Sequence, residues 1–66
     1  MELREFIGTL YYYTEIKIYT HNYNEEYTPK KTLYHNTDIG GVPTDILTMT
    51  IGVVNVVNNV LEIFVY

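Results

Sequence analysis

The chain reads as an α+β domain in which a short N-terminal helix packs on a small antiparallel sheet of about four strands, closed by a C-terminal β-hairpin. Three observations predict this. Apolar residues in Glu2–Leu10 recur with helical spacing, Thr14–Thr20 alternates with period two, and the apolar tail Thr50–Tyr66 is divided by an Asn pair suited to a tight turn.

Taking the elements in order, Leu3, Phe6, Ile7 and Leu10 fall at i, i+3, i+4 and i+7, with Glu2, Arg4 and Glu5 on the other side. That is one amphipathic face, weakened at Gly8 by about 1 kcal/mol relative to Ala. So short a helix persists only when packed. In Thr14–Thr20, Ile16 and Ile18 share one side of a strand while Glu15, Lys17 and Tyr19 share the other. His21–Lys31 holds Asn22, Asn24, Glu25, Glu26 and Pro29 without periodicity and reads as a long, mobile hairpin loop. Thr32–His35 offers a second, antiparallel strand. Asn36–Gly41 is a turn whose glycines can take positive φ. Pro43 suits the first position of a helical turn, with Asp45 near its positive end and Ile46, Leu47 and Met49 tucked beneath the sheet.

The tail is near the lower length limit for a membrane span, but Asn55, Asn58, Asn59 and Glu62 interrupt it and no basic flank marks an interface. Its many β-branched residues and the Asn58-Asn59 pair argue against a soluble helix as well. A hairpin of Ile51–Val57 and Val60–Tyr66, turning at Asn58-Asn59, is expected. In that register Val57 faces Val60, Val56 faces Leu61, Val54 faces Ile63 and Val53 faces Phe64. One face then holds Val54, Val56, Leu61, Ile63 and Val65; the other holds Ile51, Val53, Val57, Val60, Phe64 and Tyr66. One short helix covers a single face, and a second copy of the chain is expected on the other.

A 66-residue chain forms one small domain, 1–66, that buries only about 60% of its unfolded surface. It has no Cys, so it has neither disulfides nor thiolate metal sites, and a reducing cytoplasm suits it. No signal peptide is read at its start. The net charge of -4 opposes nucleic acid and anionic membranes as partners. Ser is absent too, and no Thr sits in a nucleophile motif, so nucleophilic catalysis lacks its usual parts. His21 and His35 lie at opposite ends of the first hairpin, too far apart to share a metal. Glu25-Glu26 reads as solvated loop charge, and Asp38-Ile39-Gly40-Gly41 as a turn lacking the phosphate-loop lysine. No enzyme, cofactor or metal is expected.

The tyrosines are the most informative surface feature, because Tyr joins large apolar area to a polar tip. Tyr12, Tyr19, Tyr23, Tyr27 and Tyr34, with Lys30 and Lys31, are the candidate contacts for a partner or ligand. Two functions follow. One is a non-enzymatic homo-oligomer, dimer or higher, acting by protein-protein contact. The other is a protein sequestering a nucleotide-type signal at a subunit interface, with Tyr stacking and Lys30, Lys31 or Arg4 meeting phosphate.

The stretches LREFIGTL, TEIKIY, TLYHNT, VPTDIL and IGVVNVVNNVLEIFVY together resemble short phage and prophage proteins of Firmicutes, whose layout is a helix, a hairpin, a V-P-x-x-I-L turn and a closing hairpin. The resemblance carries no catalytic signature. It implies an accessory protein in the cytoplasm of an infected or lysogenic cell, with a host protein, such as a defence protein, as its partner. Where that layout has acidic and Ser-containing segments near the last turn, this chain has Val53, Asn55 and Val57.

Overall fold

The structure, a computed structural model, describes residues 1–22 and 28–66. Its elements are α1 (Leu3–Ile7), β1 (Ile16–Asn22), β2 (Thr28–Asn36), two 3-10 turns (Ile39–Gly41 and Thr44–Ile46), β3 (Ile51–Val57) and β4 (Val60–Val65). The helix is shorter than its apolar spacing suggests and ends at Gly8, where propensity is weakest. Its first amides are satisfied from outside, Leu3 N–H donating to Met49 O (2.8 Å) and Arg4 N–H to Leu47 O (2.9 Å). The first hairpin is longer than expected: His21 and Asn22 belong to β1, and Thr28–Lys31 to β2. Only the stretch 23–27 of the expected loop, with Tyr23 and Tyr27, lies outside the described residues.

The strands form one sheet in the order β2-β1-β4-β3. The sheet is mixed, which corrects the antiparallel expectation: both hairpins are antiparallel, but β1 and β4 meet in parallel, pairing Ile16 with Leu61, Ile18 with Ile63 and Tyr19 with Phe64. The cause is the route between them. β2, the 3-10 turns and β3 form the long crossover that a parallel pair requires. It also puts the strands with the most buried residues in the middle, where both of their faces can be covered.

Ile16, Ile18, Ile63 and Val65 line the covered face, where Leu3 and Ile7 of α1 meet Val42 and Ile46 of the crossover. Leu3, Ile16, Ile18 and Ile63 are wholly enclosed. Each such side chain stabilises by about 1.5–3 kcal/mol relative to exposure.

The closing hairpin has the expected register from Val53-Phe64 to Val57-Val60. Asn58 and Asn59 take φ of 52° and 65°, the left-handed pair that twists a two-residue turn to match its strands. Among the described residues no glycine takes positive φ, so the expectation for Gly40 and Gly41 is corrected. They sit in a 3-10 turn, where Asp38 Oδ1 accepts Gly40 N–H at 3.1 Å. Pro43 stands just before the second 3-10 turn, and Ile46 is buried.

Candidate functional site

The structure divides the expected interface. An irregularity at Gly52 makes Ile51 pair with Val65, which turns Ile51 to the helix-covered face and corrects its assignment to the other. Phe64 does lie on the other face but is only 3% exposed. Its ring stacks on Tyr19, also 3% exposed, with centroids 5.1 Å apart. Around this pair, Tyr19 Oη donates to Glu62 Oε2 (3.1 Å) and Lys17 Nζ stands 5.0 Å from the centre of the Tyr19 ring. Parallel pairing of β1 and β4 brings these four residues together, Lys17 beside Glu62 and Tyr19 beside Phe64. Val53 and Val60 are half-buried, while Val57 and Tyr66 are exposed.

The tyrosine candidates likewise separate. Tyr19 belongs to the cluster just described. Tyr34 packs against the covered core and donates its hydroxyl to Asp38 O. Burial first, and the nearby Asp38 carboxylate second, raise the Tyr34 hydroxyl above its ordinary pKa. A Cβ on Gly41 would lie 2.8 Å from that hydroxyl and 3.0 Å from Asp38 Oδ2, so a side chain here would push the Tyr34 hydroxyl or the Asp38 carboxylate from its place. Tyr23, Tyr27 and the Lys30 side chain lie outside what is described, and Lys31 is exposed. His35 joins Glu15 at 2.7 Å, across to the segment leading into β1. Among the described residues no cluster of His, Cys, Asp and Glu could hold a metal, and no helix is long and apolar enough to cross a membrane.

Tyr12 remains, with a feature the sequence did not reveal. After α1 the chain tightens into turns, Thr9 N–H bonding to Phe6 O (3.0 Å) and Leu10 N–H to Ile7 O (3.1 Å). This sets the end of the helix opposite the Ile39–Gly41 turn, which Tyr34 and Asp38 hold in place. Between them is a depression of about 300 Å³ lined by Ile7, Gly8, Leu10, Tyr12, Ile39 and Gly40. A Cβ on Gly8 would make ordinary contact with the carbonyl oxygens of Arg4 and Glu5, at 3.5 and 3.7 Å. Beside the depression, Tyr11, Tyr12 and Tyr13 are all 75–86% exposed. None of the six described lining residues is charged, so the depression suits an aliphatic or aromatic group and offers, among the described residues, no counterion for phosphate. The sequence signal was the triple tyrosine directly after a helix; the opposing wall depends on a turn far along the chain. Comparison with protein-family models, curated proteins and solved structures gave no match.

Proposed function

We propose that this chain is a non-enzymatic protein-binding module that works as a homo-oligomer. Its partner, on the phage-protein resemblance, is a host protein. The observation carrying this reading is the exposed Tyr11–Tyr13 run, whose Tyr12 lines a depression with no charged residue among those described. Tyrosines that bury large area at little entropic cost around a pocket for one anchoring side chain are the usual makings of a protein contact. The nucleotide alternative draws less from the geometry: Arg4 Nε is engaged with Glu2 Oε1 at 2.7 Å, and Tyr19 is stacked inside the chain.

Affinity capture from a bacterial lysate, run in parallel with wild type and Tyr12→Ser, tests the reading. A protein retained by wild type and lost with the variant, at unchanged thermal stability, is the expected result. Equal capture by both, together with stabilisation of the wild type by a nucleotide or cyclic dinucleotide, would overturn it in favour of ligand sequestration.

A further inference from the structure

β3 is one of the two edge strands of the sheet, and part of its outer side is left unpaired among the described residues. Thr50 and Tyr66 exchange both backbone hydrogen bonds (2.9 Å each), and Leu61 N–H turns the other way, to Glu15 O (3.0 Å). Alternation along the ladder then directs Val53, Asn55 and Val57 toward β4, while the amides and carbonyls of Val54 and Val56 point away from it. Met1 and Glu2 cover only the start of this edge: Ile51 N–H donates to Met1 O (3.0 Å), and Glu2 bridges Thr50. At the other end the chain leaves the edge at the Asn58-Asn59 turn. Among the described residues nothing pairs with the outer side of the window between, Val53–Val57.

That window reads Val-Val-Asn-Val-Val, the same in both directions about Asn55. We propose that two copies of the chain join there, β3 to β3, antiparallel about a two-fold axis through Asn55. This rests on the homo-oligomer reading above and replaces its face-to-face contact with an edge-to-edge one. The palindrome is what selects a second copy as the occupant. In this register Val54 exchanges both backbone bonds with Val56 of the partner subunit, and Val56 with the partner's Val54, so every outward group in the window is satisfied. Val53 opposes the partner's Val57 on one face, and the two Asn55 residues oppose each other there. On the other face Val56, 71% exposed in the single chain, meets the partner's Val54. The four-stranded sheet becomes one of eight strands, with both helices on the same side. No residue from Ile51 to Val57 carries a charge to oppose the approach.

Asn55→Cys tests the register, because the chain has no other thiol. Residues directly opposed at a non-bonded antiparallel position have Cα atoms about 4.5 Å apart, within disulfide reach. Mild oxidation is expected to convert Asn55→Cys largely to a covalent dimer, with Thr48→Cys, at an exposed site away from β3, staying largely monomeric. Light scattering supplies the second measurement, with wild type dimeric at high concentration and Val56→Pro monomeric, since β4 does not use the amide that proline removes. Should that variant fold poorly, Val56→Lys blocks the same edge. An oligomeric wild type whose Asn55→Cys form crosslinks no faster than the control, and which survives both Val56 substitutions, overturns the edge proposal alone. A wild type that is monomeric at every concentration overturns the homo-oligomer reading with it.

Discussion

β2 and β3 occupy the two edges of one sheet, and their sequences treat exposed backbone differently. β2 carries Pro29, which has no amide to offer, followed by Lys30 and Lys31, and its pairing with β1 is broken by two register shifts, at Ile18/Tyr19 and Thr20/His21. Proline, lysine and bulges are the devices by which edges avoid adding another strand. β3 has one irregularity, at Gly52, and beyond it a straight run of Val and Asn without charge or proline. On the proposal of an edge-to-edge dimer, this asymmetry between a protected edge and a plain one sets the direction of association.

Predictions that break this comparison run from the strands both edges share outward to the edges themselves. The largest effect is expected at the central β1-β4 seam. Ile63→Ala removes a wholly enclosed side chain and should cost about 2–5 kcal/mol in a urea melt. A chain of this length has only roughly 3–10 kcal/mol of stability in all, so the variant's urea midpoint should fall far below that of wild type, and both edges are lost wherever it unfolds.

Next comes the turn that sets the β3 edge. Asn58→Val places a β-branched residue at φ 52° and should cost about 1–2 kcal/mol, while Asn59→Gly should gain a few tenths. The same melts read both. Association should weaken with Asn58→Val, because a frayed hairpin no longer presents β3 as a straight edge.

A change on the far side of the fold sharpens the contrast by leaving β3 alone. Tyr34→Phe deletes the hydroxyl bond to Asp38 O and should cost about 1 kcal/mol. Its pH dependence has a definite sign. The folded-state pKa is raised, so the neutral phenol favours folding; that contribution is complete below the ordinary tyrosine value of about 10 and is lost as pH rises past it. Melts at increasing alkaline pH should show wild type losing stability faster than Tyr34→Phe. The smallest effect on folding is expected from Val56→Lys, within about 0.5 kcal/mol, because the side chain is exposed. It gives β3 the kind of edge β2 has, and light scattering should show the dimer gone, while a melt run dilute enough for wild type to be monomeric stays in place.

Much of this fold was legible because local chemistry determined it. The Asn58-Asn59 pair set the closing hairpin, and with the turn fixed the pairings from Val53-Phe64 to Val57-Val60 followed by counting. Ile16 and Ile18 announced the core side of β1 by their alternation. What could not be read depends on residues distant in sequence. Nothing in either hairpin alone says that β1 lies beside β4, so the parallel seam and the Lys17-Tyr19-Phe64-Glu62 cluster it creates were not foreseen. Gly52 resembled an ordinary strand glycine, yet its bulge moved Ile51 to the opposite face. The depression beside Tyr12 needed Ile39 and Gly40 brought to the end of α1 by the crossover. The palindrome at Val53–Val57 was visible throughout, but it acquired meaning only once β3 was known to be an edge.

Amide hydrogen exchange followed by NMR at low and high protein concentration tests the central claim most directly. Val53, Asn55 and Val57, whose amides face β4, should be protected at both. Val54 and Val56 should exchange rapidly when dilute and become protected as concentration rises, in step with dimer formation. Rapid exchange of Val54 and Val56 at every concentration, in a sample that light scattering shows to be oligomeric, would contradict the account.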